Sequence, residues 1–144
     1  MIQNTYNAAL SVARERINLY DKMTPGSTGL LITFTSQLTG KSKTFIPITV
    51  LLSNKDRYVE FTYFIMTTDN LAGGIIALGT TDYPLGFYDV TIYEQSTGGN
   101  LDPTGLTVIY TGLMNLSSTS STRSVTYTEY TTNDSDTESV YITI

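Results

Sequence analysis

In residues 86–94 of this chain, Phe87, Asp89, Thr91 and Tyr93 alternate with Tyr88, Val90, Ile92 and Glu94. A period of two puts successive side chains on opposite faces of an extended backbone, so the stretch reads as a strand with one predominantly apolar face. STGGNLDPTG follows, and then a second β-rich run, LTVIY. Gly98 and Gly99 permit positive φ, and Asp102-Pro103-Thr104-Gly105 has the residues of a type I turn, with Asp at i, Pro at i+1 and Gly at i+3. Residues 82–115 therefore read as two antiparallel strands joined by a long loop, and none of them has the look of a catalyst.

Composition supports extending that reading to the whole chain. At 144 residues it has the size of one domain with a real hydrophobic core. Eleven Tyr, five Phe and many Thr favour sheet over helix. The absence of cysteine excludes disulfides and thiolate metal sites, and the absence of histidine removes the commonest general base and metal ligand. No cofactor is expected. A net charge of -5, with eight scattered basic residues, argues against a phosphate-facing surface and hence against nucleic acid as a partner. No apolar run approaches the roughly 20 residues of a membrane-spanning helix, and MIQNTYNAALSVARERINLY lacks the basic and apolar regions of a signal peptide. The expectation is a protein without a membrane partner, soluble or part of a soluble assembly.

Along the chain, residues 4–20 satisfy two periods. Tyr6, Ala9, Leu10, Ala13 and Ile17 share one face of a helix, whereas residues 16–20 alternate like a strand, and both readings stay open. Residues 29–35 form a strand with Leu30, Ile32 and Phe34 toward the core, and a hairpin turn follows around Gly40 and Lys41. Residues 44–52 resume β character with Pro47 inside, which requires an edge, a bulge or two short pieces. Residues 57–66 read as the longest strand, covered on both sides in its second half, and residues 73–78 as a short one. About seven strands at roughly 10-residue spacing indicate an all-β fold, an immunoglobulin-like β-sandwich over residues 27–116. Tyr88, near the start of the penultimate strand, is either a half-buried cross-strand aromatic or a tyrosine bonded to a nearby backbone group.

Residues 1–26 read as an N-terminal segment or arm, and residues 117–144 as a C-terminal extended arm or final hairpin. The tail is rich in Ser and Thr, with two β-prone patches at Val125, Tyr127 and Glu129 and at Val140, Ile142 and Ile144. It is too polar to form its own core and too β-prone for a plain linker, so adding as a strand to a neighbouring sheet edge would suit it. Asn100, Asp102, Val125, Tyr127, Val140, Tyr141 and Ile142 are the candidate partner-binding residues. Asp134, Asp136 and Glu138 alternate as in a calcium loop, but Ser139 occupies the position that needs Gly, and no closing Glu follows; a solvated turn is expected, and no metal site. Strand alternation sets Asp89 and Glu94 on opposite faces, so they form no catalytic pair. Lys41, Lys43, Lys55 and Arg57 read as solvated turn residues, and exposed tyrosines and threonines would also suit a glycan.

The ordered set LLITFTSQLTGKSKTFIPI, DRYVEFTYFI and GFYDVTIYEQSTGGNLDPTGLTVIYTGLMNL resembles small structural proteins of tailed bacteriophages, including crAss-like and marine phages. The resemblance rests on the turn from Thr35 to Gly40, on Asp56-Arg57-Tyr58, on residues 86–94 and on Asn100-Leu101-Asp102-Pro103, and covers residues 29–116. It implies a non-enzymatic virion component, with a capsid auxiliary or decoration protein as the leading expectation. The implied partners are the major capsid protein or neighbouring structural subunits, in a multimeric assembly within the virion. A neck, tail or head-fibre subunit, or a surface glycan-binding module, is the alternative.

Overall fold

The computed structural model describes residues 2–6, 11–25, 27, 29–53, 58–96, 99–118, 130–131 and 139–140. Its strands are β1 (Ile2–Tyr6), β2 (Ser11–Ile17), β3 (Gly29–Ser36), β4 (Ser42–Phe45), β5 (Thr49–Ser53), β6 (Tyr58–Met66), β7 (Ile75–Ala77), β8 (Gly86–Gln95), β9 (Thr107–Ser118), β10 (Tyr130–Thr131) and β11 (Ser139–Val140). Single 3-10 turns lie at Tyr20–Lys22 and Leu71–Gly73.

Two sheets form a sandwich. One has the order β1-β9-β8-β3-β4; the other runs β2-β6-β5, with β7 pairing β6 as well. Pairing is antiparallel except for β1 with β9 and β6 with β7. The all-β sandwich read from the alternation is thus the observed class. Seven of the described strands, β3 to β9, come from the stretch expected to build the sandwich, and the N-terminal segment adds β1 and β2 to the two sheets. β1 pairs with β9 in one sheet and β2 with β6 in the other, and Ile2 and Ala13 are buried in the core. Of the two readings of residues 4–20, the described residues are extended over 4–6 and 11–17, but the strand read at residues 16–20 ends at Ile17, and Tyr20 opens a 3-10 turn. Pairing satisfies a ladder of backbone groups, and the other strands supply the apolar neighbours that the small helical face lacked.

Pro47 marks the change of sheet. β4 ends at Phe45 beside β3, and β5 begins at Thr49 beside β6, so the run that straddles the proline is two short strands. The backbone N–H of Ile46 donates to Leu71 O at 2.9 Å and that of Ile48 to Thr62 O at 2.8 Å, so the crossing leaves neither donor orphaned. β6 is shorter than β8 and β9, and its second half keeps a one-sided alternation, with Tyr63 and Ile65 buried and Phe64 and Met66 half-buried.

The core lies between the sheets. Phe34 and Phe45 of the first sheet meet Tyr63 of the second, with ring centroids 5.1–5.6 Å apart and tilted or edge-on planes. Such pairs contribute about 0.5–1.5 kcal/mol each beyond the area they bury. Leu30, Ile32, Val59, Phe61, Ile65, Val90, Ile92, Met114 and Leu116 complete this layer. Leu31, assigned by its parity to the outward face, is nonetheless fully buried.

Candidate interaction surface

The β8–β9 hairpin supplies most of the outward face of the five-stranded sheet. Its register pairs Phe87 with Asn115, Asp89 with Leu113, Thr91 with Thr111 and Tyr93 with Val108. Since paired residues share a face, one row runs Thr111, Thr91, Thr33, Thr44 across four strands, and the next runs Leu113, Asp89, Thr35, Ser42. Side-chain hydroxyls link neighbours within the rows, Thr33 to Thr44 at 2.8 Å and Thr35 to Ser42 at 2.7 Å. Phe87, Val108 and Leu113 stand exposed among them, at 48%, 49% and 39%. Leu38, in the β3–β4 turn, and Leu85, just before β8, add exposed apolar surface at the Phe87 end, where the Gln37 N–H donates to Phe87 O. Asp89 is the one charged side chain described on these rows, and it accepts from Gln37 Nε2 at 2.9 Å.

Asn100 and Asp102 lie exposed in the loop between β8 and β9, where their side chains shape the loop itself. Asn100 Oδ1 accepts from the Asp102 N–H at 3.0 Å, while Asp102 Oδ1 accepts from the Thr104 N–H at 3.0 Å and the Thr104 hydroxyl at 2.6 Å. These two hydrogen bonds hold the Asp102 carboxyl below the usual aspartate range. The turn expected at Asp102-Pro103-Thr104-Gly105 is displaced by one residue. Leu106 N–H donates to Pro103 O at 3.1 Å, and Gly105 takes the third position with φ of 79°. That conformation strains residues with a Cβ, and glycine takes it without penalty.

Val140 lies in β11, whose backbone pairs with Tyr130 of β10. Val125, Tyr127, Tyr141 and Ile142 lie outside the described residues, as do Asp134, Asp136, Glu138, Lys55 and Arg57. Among the described residues no three Asp or Glu carboxylates are grouped to hold a metal ion, and no helix is long and apolar enough to cross a membrane.

Asp89 and Glu94 are kept apart as their spacing requires. Glu94 lies beyond the outward rows, where its carboxylate accepts from the Thr24 N–H at 2.5 Å and the Thr24 hydroxyl at 3.2 Å. These two residues border a cleft of about 410 Å³ that is also lined by Pro25, Ser27, Ser96, Gly105, Leu106 and Thr107. Nearby, the Ser27 hydroxyl donates to Gln95 O at 2.9 Å, and buried Gln95 donates through Nε2 to Asn100 O at 2.8 Å.

Two ionic arrangements were not legible before the strands were paired. Glu60, 7% exposed on the outward side of β6, accepts from Arg16 Nε at 2.6 Å and faces Arg14 Nε at 3.5 Å. Lys43 was read as a solvated turn residue, but its side chain is only 10% exposed. Its register partner Phe34 points into the core, so Lys43 points inward at the sandwich rim. There Nζ donates to Asp69 at 3.0 Å and to Ala77 O at 3.0 Å, and it sits 4.0 Å from the centre of the Tyr83 ring. Lys41 remains a surface residue, paired with Asp82 at 2.7 Å. The outward placement of Phe87 was visible in the alternation; setting it diagonally beside Leu113, with Val108 farther along the same face beyond the Thr91–Thr111 row, required the β8–β9 register.

Comparison with protein-family models, with curated proteins and with solved structures finds no match to this chain.

Proposed function

We propose that this chain is a non-enzymatic structural protein of a phage virion, an auxiliary or decoration subunit that docks on the shell or on neighbouring subunits through its β-sandwich. The observation that carries the reading is the outward face of the five-stranded sheet. Its threonine rows and its exposed Phe87, Val108 and Leu113 make a low-charge surface on ordered strands, and exposed apolar area of this kind suits protein docking.

The finer reading of the fold is immunoglobulin-like. Strands β1-β9-β8-β3-β4 against β2-β6-β5 correspond to the order A′GFCC′ against BED. Tyr88, near the start of β8, donates from its hydroxyl to Pro84 O, as the tyrosine corner of such sandwiches does. The resemblance of residues 29–116 to phage structural proteins points the same way.

The test is proteomic quantification of purified particles from the phage that carries this gene. A copy number comparable with that of shell or tail proteins supports the reading, and absence from particles overturns it. Truncation before residue 120 separates the roles of sandwich and tail, with a folded domain that no longer incorporates as the expected result.

A further inference from the structure

β9 is bordered unequally along its length. β8 pairs with it over residues 107–116, but on its other side β1 reaches only residues 114–118. Among the described residues nothing pairs with that side over residues 107–113, which leaves a row of backbone N–H and C=O groups open to strand addition. A bulge between the Ile92 and Tyr93 pairings twists the start of this stretch, and Ile109, the extra residue, turns inward at 5% exposure.

Apart from β1, which is uncharged but only five residues long, the other described strands at the sheet borders are better guarded. β2 carries Arg14, Glu15 and Arg16. β4 is four residues long, with Lys43 turned inward and Pro47 just beyond it, and uncharged β5 is five residues long and begins shortly after the same proline. From Leu106 to Ser118 there is neither a charge nor a proline.

We infer that residues 139–144 of one copy add as a further strand along residues 107–113 of β9 in a second copy, an inference that rests on the proposed assembly role. The segment is Ser-Val-Tyr-Ile-Thr-Ile, uncharged, with Val140, Ile142 and Ile144 alternating against Tyr141 and Thr143. In that slot one row extends the inward face beside Ile109 and half-buried Tyr110, and the other continues the outward face beside Val108 and Thr111. The described tail strands β10 and β11 pair only with each other, over two residue pairs, and not with β9. The chain's own β1 favours a second copy as recipient. The tail leaves β9 at Ser118, which is paired with Tyr6, so β1 stands between the root of the tail and the open stretch.

The test uses purified full-length protein, without particles. Sedimentation across the soluble concentration range is expected to show reversible self-association, and hydrogen exchange to show added protection of outward-facing amides in residues 107–113 of the associated form. Val140→Asp with Ile142→Asp should abolish association and leave the melting transition of the sandwich in place; truncation after Ser118 should do the same. A full-length protein that stays monomeric overturns the inference, as does association that survives truncation or leaves residues 107–113 unprotected. None of these outcomes bears on whether the protein is found in virions, so the inference can fail while the proposed role stands.

Discussion

The hydroxyl of Tyr88 donates to the carbonyl oxygen of Pro84 at 2.5 Å, fastening the start of β8 to the corner that precedes it. The ring is buried against Phe34, with centroids 6.4 Å apart, so this one side chain joins core packing to loop geometry.

Replacing Tyr88 with Phe keeps the ring and strands the Pro84 carbonyl, at a cost of about 1–3 kcal/mol in chemical denaturation. Burial, and secondarily the neighbouring Tyr83, pushes the Tyr88 hydroxyl above the ordinary tyrosine range. A raised folded-state pKa means that the folded state holds the proton more tightly. Its contribution is therefore fully present below about pH 10, the unfolded value, and is lost as pH rises beyond it. Wild-type stability should fall more steeply above that pH than that of Tyr88→Phe; equal slopes would contradict the assignment.

Glu60 is nearly buried, whereas the side chains of Arg14 and Arg16 are each 64% exposed. Solvent screening on the arginine side holds the expected cost of Glu60→Gln to about 0.5–1.5 kcal/mol. A double-mutant cycle with Arg16→Ala should return a coupling that shrinks with added salt, as read from urea midpoints.

Lys43→Met retains the aliphatic stem but deprives Asp69 and Ala77 O of their cation. The expected loss is about 1–3 kcal/mol. Removing the inward charge also unguards the β4 edge, so the variant should aggregate at lower protein concentration than wild type in light scattering.

Gly74 follows the 3-10 turn at Leu71–Gly73 with φ of 75°, and a Cβ there would come within 2.6 Å of the Ile48 backbone nitrogen. Gly74→Ala combines left-handed strain with overpacking against the strand crossing, for a loss of about 2–4 kcal/mol in thermal or denaturant unfolding. A variant as stable as wild type would show that the Ile48 segment can move aside at little cost.

Much of the fold was legible because alternation is a local property. Residues 86–94 and 29–35 each announced a strand with one apolar face, residues 57–66 announced a strand but not that its second half buries one face only, and the β8–β9 hairpin was found where its two β-rich runs stood. Pro47 restricted its strand to a few options, since an imino nitrogen cannot donate to a ladder, and the observed change of sheet is one of them. The N-terminal segment was harder to read. Residues 4–20 fit two periods at once, and only the open borders of β9 and β6 decide between them. Among the candidate contact residues, Asn100 and Asp102 also shape their loop, because a short polar side chain can bond a backbone N–H two residues on.

What the sequence by itself determined is the class of structure: alternation, β-branched and aromatic residues, and turn residues at the right intervals dictate strands that must bury one face. Tertiary structure decided which strands are neighbours, and with that every long-range relationship of the molecule. Lys43 is a rim cation held by Asp69 because Phe34 is its register partner, Glu60 meets Arg16 because β2 borders β6, and Phe87 joins Leu113 in one patch because β9 follows β8 in antiparallel register. The physical reason is that period-two patterning fixes the face on which a side chain lies, whereas the choice of partner strand depends on how two whole sheets can share one core.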